Sequence, residues 1–143
     1  MVELINQQRK IEFSLRPFEI FTEKAVSIIP ETAQKSLTVA FVSDRKMREL
    51  NKMFRGRNST TDVLSFPFEA DEFESGQQNL GDIVIGVEQA ARQAAENDLE
   101  FEVEIKQLIL HGILHLCGYD HETDHGEMNT LEIELRDKLA ING

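Results

Sequence analysis

Residues 80–121 read LGDIVIGVEQAARQAAENDLEFEVEIKQLILHGILHLCGYDH, and the succession of patterns in this stretch decides the fold class. Leu80 to Val87 is dense in β-branched residues and is the strongest strand signal in the chain. It leads straight into an alanine-rich helix from about Glu88 to Asn97. Asn97 or Asp98 is suited to cap the next helix, which runs through Leu116. Residues 101–105 alternate with period two, but the unbroken length up to Gly118 favours helix. After Ile105 that helix is apolar on nearly every face, so its second half is expected to be buried.

Upstream, Val2 to Gln7 reads as a short first strand and Ile11 to Leu15 as a second, weaker one. Pro17 suits the first turn of a helix with apolar Phe18, Phe21, Ala25, Ile28 and Ile29, which Pro30 stops. Leu37 to Val42 suits a buried strand. Ser43 is placed to cap a basic amphipathic helix that carries Met47, Leu50 and Met53 and ends near Phe54. Gly56 to Thr61 is loop, Asp62 to Phe66 is strand closed by Pro67, and Glu69 to Asn79 is an acidic loop. A last amphipathic helix from about Asp124 to Ile141 uses Met128, Leu131, Ile133, Leu135 and Leu139. No repeat or linker interrupts the order. The expectation is a single α+β domain over residues 1–143, with a small mixed sheet of about four strands packed with helices.

The length of 143 residues suits one domain, and 41% hydrophobic with 29% charged residues excludes collagen-like, low-complexity and fully disordered classes. Leu108 to Cys117, the longest strongly apolar stretch, is broken by two histidines and falls far short of the ~20 residues a membrane span needs. The opening Met1-Val2-Glu3-Leu4 has neither a basic nor an apolar signal region, and Cys117 is the lone cysteine, so a cytoplasmic location is expected.

Three of the four histidines fall between His111 and His121. At i and i+4 of a helix, His111 and His115 face the same way and can present two imidazole nitrogens to one ion. Gly118 can take the left-handed conformation that ends the helix, so the chain can double back and bring His121 as a third ligand. Three imidazoles with a fourth position left for water is the layout of a catalytic zinc site, whereas structural sites are closed by four ligands. A metal also removes the cost of burying two imidazoles in an apolar helix. His125 reads as a surface or capping residue, with a ligand role in place of His121 as the alternative. Asp120 is either an acceptor for an imidazole N–H or a turn residue. Cys117 points to another face and is expected to pack in the core. The spacing is that of metzincin proteases, except that Gly112 stands where their general-base Glu belongs, which counts against peptide hydrolysis by that route.

The blocks HGILHLCGYDH at His111 to His121, Phe54-Arg55-Gly56, DVLSFP at Asp62 to Pro67 and LGDIVI at Leu80 to Ile85 resemble the YbeY family of bacterial metal-dependent endoribonucleases. Their order and spacing match across residues 50–121. The resemblance implies one α+β domain and a zinc-like divalent metal on His111, His115 and His121. It implies cleavage of single-stranded RNA in maturing the 3′ end of small-subunit (16S) ribosomal RNA and in ribosome quality control, with the small subunit or its proteins as partner. It also makes Arg55 functionally important, and catalysis is expected to rest on Arg55 and His115.

The charges bear on that implication. A net charge of −11 argues against binding nucleic acid by bulk charge, and neither DNA nor membrane is expected as a partner. Between Arg45 and Arg57, however, the local net charge is +5, while between Glu69 and Glu104 it is −10. Cleaving a phosphodiester develops negative charge on phosphate oxygens, which the planar fork of Arg55 matches. Lys46, Arg48, Lys52 and Arg57 would then track the backbone of a single strand, the bland alternative being a solvated face. Phe54 and Phe66 are each either a base-stacking group or, more simply, core. Asp62 and Asp82 lie at or within strands, with Asp82 expected to be structural. The competing functions are a peptidase or other metal hydrolase, and a non-catalytic ribosome-assembly factor with a structural metal.

Overall fold

The computed structural model describes residues 1–33, 35–68, 79–120 and 124–141. Four strands, β1 (Val2–Asn6), β2 (Ser36–Val42), β3 (Val63–Pro67) and β4 (Asn79–Gly86), form one sheet in the order β1-β2-β4-β3. β1 runs parallel to β2 and β2 parallel to β4, whereas β3 pairs antiparallel with β4, so the sheet is mixed as expected. The helices are α1 (Arg16–Ile28), α2 (Asp44–Arg55), α3 (Val87–Glu96), α4 (Phe101–Leu116) and α5 (Glu127–Lys138), with a short 3-10 turn at Pro30–Thr32.

Alternation along the strands divides the core. Ile83 and Ile85 of β4, with Val39 and Phe41 of β2, face a large cluster shared with α1 and α4. Val84, Val42 and Leu64 face the opposite way and cover Met47 of α2. α4 lies at the centre, packed on α1, α3, α5, β3 and β4, and is buried from Ile105 onward as its apolar composition requires. Gly112 permits this approach. A Cβ there would lie 2.8 Å from Ile83 Cγ2, closer than real contacts allow.

Several local expectations are corrected. Ile11 to Leu15 is not a strand: Gln8 ties its side-chain amide to both backbone groups of Ile11, while Phe13 and Leu15 still turn inward. Asn97 and Asp98 close α3 rather than open α4; the Leu99 N–H returns to the Ala94 carbonyl, and Glu100 precedes α4. α5 is shorter than Asp124 to Ile141: Gly126 caps it, and the Asp124 carboxylate, ahead of the helix, accepts from the Met128 N–H of its first turn at 2.8 Å. Ile133 is 56% exposed, and Glu132 occupies the inward position instead. On α2 the Ser43 hydroxyl caps as expected, but Met53 is exposed. The acidic loop falls on residues 69–78, outside the described residues. Among those described, no helix is long and apolar enough to cross a membrane.

Candidate active-site cleft

A cleft of about 670 Å³ opens between the end of α2, β3 and the last turns of α4. Arg55, Asp62, His111, His115 and Asp120 all line it. The helix places the two histidines. One turn apart on the only partly open face of α4, they are half-buried, and the Nε2 atoms stand 3.0 Å apart.

Glu132 fixes the chemistry of the first imidazole. Its Oε1 lies 2.7 Å from His111 Nδ1, and its Oε2 accepts from Arg136 at 3.3 Å. A carboxylate can only accept, so the proton of neutral His111 sits on Nδ1 and its Nε2 turns a lone pair toward His115. Two imidazole nitrogens at ~2.05 Å from one shared metal ion stand roughly 2.9–3.3 Å apart, depending on the coordination angle, and the spacing found here falls in that range. The donor set also suits such an ion: imidazoles, a buried carboxylate behind one of them, and the C-terminal half of a helix whose dipole favours positive charge. Cys117 contributes no thiolate. It packs against the core, and burial, with the Glu31 carboxylate adding, pushes its thiol up to about 11.

His121 lies outside the described residues, and Asp120, its chain neighbour, lines the cleft. The Asp120 carbonyl accepts from the Asp124 N–H, so it also serves the turn. His125 is on the surface, where its backbone N–H meets Glu127. Among the described residues no cluster of three or more metal-binding side chains is complete.

Asp62 has the reason an acid near a strand requires. Gln93 of α3 donates through Nε2 to Asp62 Oδ2 and to buried Glu104, both at 3.0 Å. Asp62, Val63 and His111 line both the main cleft and a second one of about 450 Å³, which is lined also by Glu104, Gln107 and Arg136. Asp82 is exposed on β4, away from both clefts.

The basic residues divide by position. Arg55 reaches the cleft, and Gly56 at φ +69° ends the helix directly after it. Arg48, Lys52 and Arg55 fall at i, i+4 and i+7, one continuous stripe of α2, while Lys46 lies on another side and Arg57 in the following loop. All are exposed. Arg45 is engaged by Glu49 at 3.8 Å. Glu132, Arg136 and Gln93 were not anticipated from sequence. The only signal for Glu132 is an acid on the apolar side of a helix, which becomes meaningful once the helix is known to pack on His111.

A model of the family described as Endoribonuclease YbeY matches residues 3–140. The chain is 39% identical to the endoribonuclease YbeY of Thermodesulfovibrio yellowstonii, with 99% of this chain and 96% of that protein covered. It is 38% identical to the endoribonuclease YbeY of Clostridioides difficile, covering 96% and 95% of the two chains. Among solved structures it is similar to the solution structure of TM1509 from Thermotoga maritima, at TM-score 0.67 and 29% identity, covering 97% of this chain and 89% of that one.

Proposed function

The chain belongs to the YbeY endoribonuclease family, and from that premise we propose that the cleft between α2 and α4 is where it cuts single-stranded RNA in maturing the 3′ end of 16S ribosomal RNA. One observation carries the reading: Arg55 and the paired imidazoles of His111 and His115, more than fifty residues apart in sequence, face a single cavity. His111 and His115 would hold one divalent ion, with zinc the expected metal, and His121 would be the third ligand. When bound, that ion supplies Lewis acidity to a phosphoryl oxygen.

The chain's own residues do the rest. Glu132 holds the proton on His111 Nδ1 and keeps the ring oriented. Arg55 donates its fork to two non-bridging phosphate oxygens, where charge grows as the phosphodiester breaks. Arg48 and Lys52 lead the strand toward Arg55, with Arg57 and Lys46 adding longer-range attraction. Because the protein as a whole is acidic, this short path neutralises few phosphates. A ribosomal partner, the small subunit or one of its proteins, then supplies the remaining affinity and the placement in the cytoplasm.

A peptidase of the metzincin kind is disfavoured by packing. Position 112 faces Ile83 of the sheet, so a glutamate there would enter the core rather than the cleft. The test is elemental analysis of the purified protein together with cleavage of a defined single-stranded RNA by wild type and His115→Ala. The expected result is one zinc per wild-type chain, lost with activity in the variant. Undiminished cleavage by metal-free His115→Ala would refute the assignment and leave the histidines as a structural staple.

A further inference from the structure

Phe54 is in the wrong place for a core residue. It continues the inward stripe of α2 set by Met47, Leu50 and Asn51, yet it is 58% exposed. The helix runs beyond the small cluster beneath it. There the ring packs T-shaped with a second aromatic, Phe66 of β3, with centroids 5.0 Å apart at 66°. Phe66 packs on the cluster from its own strand, so Phe54 stands on an anchored base with much of its surface open to water. Met53 beside it is 73% exposed.

The neighbours say what such a ring would meet. Phe54 directly precedes Arg55, which lines the cleft, and shares the end of α2 with the stripe of Arg48 and Lys52. Among the described residues none of these three cations is paired with a carboxylate, although Arg45, Arg92, Lys106 and Arg136 each hold one. Three clustered cations without a carboxylate partner among the described residues favour a polyanion over an apolar protein segment. Resting on the RNA reading of the cleft given above, we propose that Phe54 is a stacking platform for one unpaired base of the RNA, beside the phosphate held by Arg55.

The consequence is selectivity for strandedness without selectivity for sequence. Every base has a π face, so the platform accepts all of them, but a base inside a duplex is already stacked and cannot reach the ring. The charged stripe alone would not make that distinction, since duplex and single strand both carry phosphates.

Binding of three strands tests this at one salt concentration: a 2′-O-methyl single strand, an abasic strand of equal length, and a duplex, each checked on a gel for intactness. Phe54→Leu should bind the base-bearing strand roughly 5- to 150-fold more weakly, with metal content and affinity for the abasic strand unchanged. Phe54→Trp should retain affinity, and its indole, the only tryptophan in a chain that has none, should be quenched by the single strand and not by the duplex. The proposal is overturned if Phe54→Leu binds as wild type, if it loses the abasic strand by the same factor, or if the indole is silent at saturation. A Phe54→Leu variant that loses only small ribosomal subunits makes the ring a protein anchor and overturns it too. Failure of the underlying reading looks different: Lys52→Glu would then bind every strand as wild type does.

Discussion

Replacing Glu132 by Gln keeps the shape of the side chain and removes its charge, which isolates what the carboxylate does for the proposed metal site. In the native arrangement Oε1 accepts from His111 Nδ1 at 2.7 Å and Oε2 from Arg136 at 3.3 Å, with the side chain only 6% exposed. The amide leaves His111 with a weaker acceptor or a competing donor, so the population with Nε2 free for a metal falls. Loss of such a partner costs about 10- to 100-fold in metal affinity, which is ~1.4–2.8 kcal/mol. Competition against a chromophoric zinc chelator at fixed pH measures it on folded protein. Leu135→Ala is the control. Leu135 is buried on the same helix and should cost about 2–5 kcal/mol of stability, while the folded fraction binds zinc as wild type does. Wild-type zinc affinity in Glu132→Gln would refute the argument and make Glu132 an anchor for α5 alone.

The other predictions concern the cleft wall, the strand path and the helix seat. Arg55→Ala should keep its metal and fold while RNA cleavage falls by about two orders of magnitude, the scale of losing one transition-state donor, and Arg55→Lys should recover only part; single-turnover rates decide. Lys46→Glu with Lys52→Glu should weaken RNA binding and flatten the salt dependence, which on a single strand is about −0.7 per phosphate neutralised, without changing metal content. An unchanged slope would move the RNA path off α2. Gly112→Ala should lower stability by roughly 1–3 kcal/mol, because its Cβ meets the fully buried Ile83, and denaturant unfolding reads it directly. No loss there would mean that α4 can shift away from the sheet at little cost.

The sequence-based expectations succeeded where one element carries the information and failed where two must meet. The shared face of His111 and His115 was legible because both lie on α4. Arg55 could be proposed from its chemistry, but only the fold brings it to the same cavity. Glu132 was hidden because α5 was expected to bury Ile133. The weakly amphipathic helix instead turns an acid inward to a histidine, and no spacing rule within α5 reveals a partner on α4. For Ile11 to Leu15 the alternation correctly located the inward side chains, since Ile11, Phe13 and Leu15 all pack on the core. It misjudged the hydrogen bonding, because the backbone there is met by a glutamine side chain and not by a neighbouring strand. Asn97 and Asp98 show the same ambiguity at a helix junction, where residues suited to begin one helix equally finish the one before.

The contact between Gly112 and Ile83 also constrains how this scaffold can evolve. Two of the four glycine codons differ from a glutamate codon by a single base, so the protease-like residue at position 112 is within one or two base changes. What blocks it is epistasis. With Ile83 in place the new side chain has no room, and a variant that acquires glutamate first would be purged for instability before any new activity could be selected. A viable path must shrink Ile83 beforehand, at the cost of a cavity in the central strand. The order of the two steps is therefore fixed, and a double-mutant cycle over Gly112→Glu and Ile83→Ala should show it as a stability coupling, with the pair less damaging than the sum of its parts.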